Sequence, residues 1–348
     1  MNIVILKNEL PDSSKKWEAS CKRKEINYSV VDLTAYDWFE QIIKIQPSLL
    51  LLKPSGLTAP YKELYDERLR ILVEECGMNC YPSLKSALLY ENKRFLSFWL
   101  KANAVSHPDT FIFYKESEAN EFSNHRVVFP VVAKTNIGAS GSGVSILETK
   151  NDLDQYIINT FSGKGASKRK GPNLKKGRLL KRGLKLVLNP QQLKYKIEVY
   201  EARAADIQKE FILIQEFIPH NYEWRAVRIG DSYFAHKKLL QGNKTSGSLE
   251  KSYENPPLDL LDYIKELTDK HDLDSVAIDL FSHNKKYLIN EIQCIFGQSD
   301  SYQMKVDGII GRYIYTNDSW EFEQGNFNNN ENYDLRLSHA LLKHGAKK

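Results

Sequence analysis

Apolar and polar positions alternate along this chain in two regimes. From residue 1 to about 105 short apolar runs are separated by stretches with helical spacing. Asn2–Leu6 predicts a strand, Asp12–Lys24 a helix with Asp12 or Ser13 as its N-cap, and Tyr28–Leu33 a second strand. Tyr36–Ile45 predicts a helix stopped by Pro47, and Ser48–Lys53 a third strand. The LLLL run in that strand fits a sheet covered on both faces. A helix over Tyr61–Cys76, a strand over Asn79–Tyr81 and one long helix from Lys85 to Ala102 complete the series. Repeated strand–helix units imply a small parallel sheet with helices on its faces.

Beyond residue 105 the strands follow one another through short turns, the pattern of α+β segments. HPDTFIFY (107–114) reads as a strand, Glu116–Phe122 as a helix, Val127–Lys134 and Val144–Leu147 as a hairpin, and a helix begins near Asn151 or Asp152. A helix leads from Glu198 towards Glu210, and FILIQEFI (211–218) is a further apolar strand. WRAVRI and SYFAHKKL are joined by the turn Gly230–Asp231, a two-residue connection that sets Arg225 opposite His236 and puts Arg225, His236 and Lys238 on one face. After a long polar loop (241–257), a helix spans Leu258–His271, and SVAIDLF and YLINEIQ form two strands. Residues 313–348 read as a polar, Asn-rich loop with a peripheral helix over Asn332–Lys343.

Composition narrows the class without naming a function. The 348 residues are 42% hydrophobic and 27% charged, in the range of soluble globular enzymes and long enough for two or three subdomains. The longest apolar run, Leu49 to Leu52, cannot span a bilayer, and Met1 leads directly into strand-like NIVIL, so a soluble, cytoplasmic protein is expected. Four scattered cysteines fit a reducing compartment; Cys76 and Cys80 lack a second ligand pair for zinc. The net charge of +5 is unevenly placed. Residues 162–196 carry twelve Lys or Arg and no Asp or Glu, which leaves −7 on the remainder. Such a segment is either a solvated loop or a contact for an anionic partner.

Two stretches carry chemistry. In VVFPVVAKTNIGASGSGVSIL (127–147), a strand delivers Lys134 to a loop of Gly138, Ala139, Ser140, Gly141, Ser142 and Gly143. Small residues let successive backbone N–H groups converge on phosphate oxygens, although an ordinary hairpin turn has the same composition. The second stretch is the strand pair holding Asp279 and Glu291. Antiparallel pairing through the turn at 283–285 brings these carboxylates together, and alternation puts Gln293 beside Glu291. Two carboxylates and an amide oxygen are hard donors suited to Mg2+, although two separate surface acids are the simpler alternative.

In order, spacing and residue type, residues 1–312 resemble the ATP-grasp superfamily. The resemblance starts at ENKRF (91–95), where Lys93 matches a phosphate-contacting lysine, and Lys134 matches the second. It implies that Gly138–Gly143 is the flap over the phosphates and that Gln215, Glu216, Phe217 and Ile218 hold adenine. It further implies that Glu223 meets the ribose or positions substrate, that Arg225, Lys237 and Lys238 face the transferred phosphoryl and acyl phosphate, and that Asp279, Glu291 and Gln293 bind metal. The fold implied is an N-terminal parallel βα domain (1–90), then two α+β subdomains (91–215 and 216–312) that clasp the nucleotide, with a polar extension (313–348). The activity implied is an ADP-forming ligase that uses ATP and two Mg2+ ions to join a small-molecule or peptide carboxylate to an amine through an acyl phosphate. A kinase on the same fold and a nucleotide-regulated polyanion binder are the alternatives. The chain departs from the family pattern at Thr135, commonly Pro, at Gln293, usually Asn, and at Ala277, where some ligases carry Arg.

Overall fold

The computed structural model describes residues 2–9, 13–138, 143–166, 189–241, 244–245, 250–298 and 300–345. Thus Ala139–Ser142 of the expected flap, Asp12, and most of the basic window (167–188) lie outside the described residues.

The first sheet is parallel, in the order β2-β1-β3-β4, from β1 (Ile3–Lys7), β2 (Tyr28–Asp32), β3 (Leu49–Leu52) and β4 (Cys80–Tyr81). Helices α1 (Lys15–Arg23), α2 (Trp38–Ile45) and α3 (Ala59–Arg70) connect the strands, and a π-helical turn, Ile71–Glu75, extends α3. Both faces are covered, as the LLLL run predicts. Leu50 and Leu52 pack with Ile42, Tyr65 and Leu69, whereas Leu49 and Leu51 pack with Trp17 and Cys21. Tyr333, Leu337 and Ala340 of the C-terminal helix (Tyr333–Gly345) close that second face, so one side of this outer helix belongs to the core while Ser338 and Leu342 stay exposed.

The expected single helix over 85–102 is two helices. α4 (Leu84–Leu89) and α5 (Lys93–Ala102) are separated by a break in which Glu91 adopts a left-handed conformation, φ 47°. Ser83 caps α4 and Asn92 caps α5, each by accepting a backbone N–H.

The second sheet is antiparallel, in the order β5-β8-β6-β7, from β5 (Thr110–Phe113), β6 (Val131–Lys134), β7 (Val144–Leu147) and β8 (Ile212–Glu216). Helices α6 (Glu116–His125) and α7 (Lys150–Phe161) cover one face through Phe122, Leu153 and Ile157. A capping box between Thr149 and Asp152 starts α7. The helix placed over Glu198–Glu210 instead runs from Pro190 to Ala205; proline's fixed φ suits a first helical turn.

The third sheet contains nine strands among the described residues. Its main path is β14-β13-β9-β10-β16-β15, where β9 is Tyr222–Ile229, β10 Ser232–Gln241, β13 Ser275–His283, β14 Lys286–Gln293, β15 Lys305–Val306 and β16 Ile309–Thr316. β11 (Lys244–Thr245) and β12 (Lys251–Ser252) join β10, and β17 (Ser319–Gln324) joins β16. The β16–β17 hairpin stands where a polar loop is expected, since its half-exposed residues give little hydrophobic contrast. On one face Trp224, Ala226, Ile278 and Leu280 pack on the helix Leu258–His271 and on α5. The opposite face is apolar at one end, around Val227, Phe234 and Ala277, and charged at the other. That charged end faces the second sheet.

Candidate nucleotide site

Strand register builds the charged end row by row. His236 of β10 lies opposite Arg225 of β9, Arg225 opposite Asp279 of β13, and Asp279 opposite Glu291 of β14. The next row pairs Lys238 with Glu223. The shared face expected for Arg225, His236 and Lys238, and the closeness of Asp279 to Glu291, both follow from this register. After Asp279 the β13–β14 ladder slips, so that Leu280 pairs with Ile289 and Asn290 is left over. This bulge brings Asn290 and Glu291 together onto the wall of one cavity.

The cavity lies between the second and third sheets and holds about 850 Å³ of empty space, counting its open mouth. Val132, Val144 and Ile146 from one sheet and Phe281 from the other make its apolar walls. Gln215, Glu216, Phe217 and Ile218 form the rim between the sheets, as expected for a base-holding segment. Gln215 donates to Thr110 Oγ1 at 3.0 Å, and the Glu216 carboxylate accepts the Asp109 N–H at 3.3 Å. Lys93, Lys134, Gly138, Glu223 and Lys238 line the polar end.

Arg225 grips Asp279 through Nε and Nη2, both at 2.8 Å, and Lys238 Nζ reaches the same carboxylate at 2.8 Å. Burial pushes the Asp279 carboxyl up, but these two cations outweigh it and hold it well below the usual range. Lys238 also pairs with Glu223 at 2.5 Å. Among the described residues Glu291 makes one ion pair within 4 Å, with Lys93 at 3.9 Å. Burial raises its carboxyl, Lys93 offsets part of this, and the negative charges of Glu91 and Asp279 add to the rise. Burial lowers the two flap-side lysines as well, with different outcomes. Glu91 and Glu291 return Lys93 to above its ordinary value. Lys134 donates to the neutral Asn290 Oδ1 at 2.7 Å and is pushed down to about 8.

Other expected residues are placed differently. Lys237 points to the opposite face of β10, over the rings of Tyr222 (4.3 Å) and Trp224 (5.2 Å), and pairs with Glu254. Gln293 lies behind the cavity wall, where its Oε1 accepts from Arg225 at 3.2 Å. His236 is 1% exposed and donates from Nδ1 to the Gln303 carbonyl, while burial and Arg225 push it down to about 3, so it is a packed neutral histidine. Thr135 stands where proline is expected and has a reason to be there. Its N–H donates to the Gly143 carbonyl at 2.8 Å, which closes the neck of the loop and which proline could not do. The neck is tight: a Cβ on Gly143 would come within 1.7 Å of Thr135 Oγ1.

Three residues that the sequence reading does not single out belong to this site. Asn290 links Lys134 to Glu223. His220 lines the cavity against Phe281, ring centroids 4.6 Å apart. Glu91, 3% exposed, pairs with Lys93 at 3.4 Å and accepts the Gly138 N–H at 3.2 Å. The PHN and ENK spacings that carry His220 and Glu91 hold no signal by themselves.

The oxygen donors of Asp279, Glu291 and Gln293 have the chemistry Mg2+ takes. Asp279 is committed to Arg225 and Lys238, and no group of three His, Cys, Asp or Glu gathers as a metal cluster among the described residues. Around the polar end of the described cleft four cations (Lys93, Lys134, Arg225, Lys238) stand with four carboxylates (Glu91, Glu223, Asp279, Glu291), and Glu216 adds a fifth carboxylate at the rim.

No helix among the described residues is long and apolar enough to cross a membrane. No family model and no curated protein matches the sequence. Solved structures do match. A RimK domain ATP-grasp protein from Sphaerobacter thermophilus superposes with TM-score 0.52 at 12% identity, over 85% of this chain and 92% of that one. D-alanine–D-alanine ligase from Bacillus anthracis, complexed with ATP, gives TM-score 0.54 at 12% identity over 100% and 99%. The biotin carboxylase domain of Hydrogenobacter thermophilus 2-oxoglutarate carboxylase, with MgADP and bicarbonate, gives TM-score 0.54 at 13% identity over 84% and 64%. The parallel first sheet, the two facing antiparallel sheets and the cleft between them are those of the ATP-grasp fold, and this chain has that fold.

Proposed function

We propose that the protein is an ATP-dependent carboxylate–amine ligase that releases ADP and phosphate. The observation that carries this reading is the cavity itself: an apolar slot of base size opens at one end onto a rim of backbone, and at the other onto convergent cations and carboxylates. Adenine would lie between Val132, Ile146 and Phe281 against the Gln215–Ile218 rim, with Glu223 towards the ribose. Lys93, Lys134 and the N–H groups of the loop starting at Gly138 would hold the phosphates. Asp279, Glu291 and Gln293 would hold Mg2+, which supplies charge neutralisation at the phosphates.

The residues have roles in keeping with acyl-phosphate chemistry. Lys238 is buried and Arg225 partly so, and both point at the Asp279 carboxylate, so they would meet negative charge developing on the transferred phosphoryl group and on the tetrahedral acyl centre. No side-chain nucleophile is required, because the incoming amine attacks the acyl phosphate. The N-terminal domain (1–90) and the two clasping segments (91–215, 216–312) would supply substrate pocket and nucleotide cleft respectively. The test is a screen of carboxylates and amines for ADP and phosphate release. Turnover that needs both substrates supports a ligase. Release of AMP and pyrophosphate overturns it, and turnover without any amine replaces it with a kinase.

A further inference from the structure

Glu91 lies outside the cavity wall, yet it touches two groups that form that wall. Its Oε2 accepts the Gly138 N–H at 3.2 Å and pairs with Lys93 Nζ at 3.4 Å. Lys93 Nζ also contacts the Gly138 carbonyl at 3.5 Å, so one carboxylate, one ammonium and one peptide unit close a small ring at the start of the phosphate loop. The Lys93 N–H donates to the Asn136 carbonyl and the Arg94 N–H to Asn136 Oδ1, which ties the first turn of α5 to the same loop.

The chain accepts strain to put Glu91 there. Its φ of 47° is left-handed, a conformation that the Cβ of a non-glycine residue disfavours. Gly56, in the segment after β3, makes the room: a Cβ there would sit 2.8 Å from Glu91 Cγ and 3.0 Å from the Tyr90 ring. Gly56 has an ordinary backbone conformation, so its lack of a side chain serves the contact and not the turn. A buried acid in a strained conformation, in a niche cut by a glycine from another domain, is more than a helix boundary requires.

We propose that Glu91 is a positioning residue for the nucleotide: from behind the wall it clamps the first glycine of the phosphate loop and the Lys93 ammonium, and Gly56 of the N-terminal domain keeps it seated. The inference rests on the nucleotide reading of the cavity. It makes the N-terminal domain a structural partner in phosphate binding without a direct contact.

Binding of MgADP by calorimetry, beside amide hydrogen exchange at Gly138 and thermal unfolding, tests it. Glu91→Ala should weaken MgADP about tenfold or more, the scale of one buried charge-assisted contact, and speed exchange at the Gly138 amide. Glu91→Gln keeps an acceptor for that amide and should fall between. Gly56→Ala, which touches no cavity residue, should weaken MgADP in the same direction by pushing Glu91 off its seat. Leu72→Ala, a core change in the N-terminal domain, supplies the comparison for lost stability alone. If Glu91→Ala lowers the melting temperature as Leu72→Ala does but binds MgADP like the wild type, Glu91 is only structural and the inference fails. If the wild type binds no MgADP, the reading of the cavity fails first, a distinguishable result.

Discussion

Lys134 offers the most quantitative test of the cleft. It is 7% exposed, it donates to a neutral amide at 2.7 Å, and it has no ion pair within 4 Å among the described residues. Its ammonium is pushed down to about 8, mainly by burial; an unfolded chain would hold it near 10.4. The gap is a penalty of about 3 kcal/mol on the charged form. For a lysine lowered on folding, the unfolded chain binds more protons between those two values. Stability therefore rises with pH from about 8 to about 10, and the full penalty applies below 8. Nucleotide binding reverses the sign. Phosphate oxygens beside Nζ restore the charged form, so the complex keeps a proton that the free protein loses above pH 8. From pH 7.5 to 9.5 the charged fraction of the free protein falls about 25-fold, and MgADP affinity should fall by about that factor. Calorimetry in buffers of different ionisation enthalpy should show proton uptake on binding near pH 8.5. Lys134→Arg, charged throughout the range, should bind with almost no pH dependence. Affinity that stays flat in the wild type, or that falls equally in Lys134→Arg, would refute the placement of Lys134 against the phosphates.

Three further outcomes follow from the same geometry. Asp279→Asn leaves Arg225 buried without its carboxylate and should cost about 3–5 kcal/mol in thermal or denaturant unfolding; adding Arg225→Gln should return part of it. Lys237→Ala removes a cation from the far face of β10, so ADP formation should stay within about twofold while the melting temperature drops slightly, by the loss of a cation–π contact worth about 1 kcal/mol. Gly143→Ala and Thr135→Pro each break the neck of the phosphate loop, by contact and by loss of an N–H donor respectively, and each should weaken MgADP at least tenfold, whereas Thr135→Ser should not.

The parts of the site set by periodicity are readable from the sequence. The two-residue turn at Gly230–Asp231 is enough to put Arg225 opposite His236, and strand alternation is enough to bring Asp279 to Glu291. The same alternation, applied one residue further, separates Lys237 from Lys238; a family pattern that treats the pair as one basic motif hides this. Asn290 depends on a bulge, and no residue in YLINEIQ marks one, since a bulge can form without glycine. Glu91 is hidden for a related reason. The segment 84–102 has continuous helical periodicity with no Gly or Pro, and the break falls where Tyr90 and Glu91 pack over Gly56, a contact that for Glu91 spans 35 residues. The C-terminal helix illustrates the opposite case. Its position was readable, but its burial against β1 and β3 depends on which face of the first sheet remains open.

The balance of charges within the cleft is the least local property and the one with the most consequence. Lys93, Arg225 and Lys238 each pair with a carboxylate, because a buried guanidinium or ammonium left unpaired would cost several kcal/mol, and Lys134, held only by a neutral amide, is pushed down instead. Asp279, the carboxylate proposed to hold metal, thus serves as counter-ion to Arg225 and Lys238. On the proposed reading, binding would be an exchange of partners: phosphate would take the cations, and the freed carboxylate would need a cation of its own. A cluster without net positive charge would have no surplus with which to neutralise a triphosphate, so on the proposed reading the nucleotide would bring metal with it. It follows that nucleotide without Mg2+ should bind far more weakly than the metal complex, and that Asp279→Asn, which breaks the exchange at its pivot, should narrow that difference. A comparison of ADP affinity with and without Mg2+ in the two proteins reads this directly, and equal Mg2+ dependence in both would remove Asp279 from the exchange.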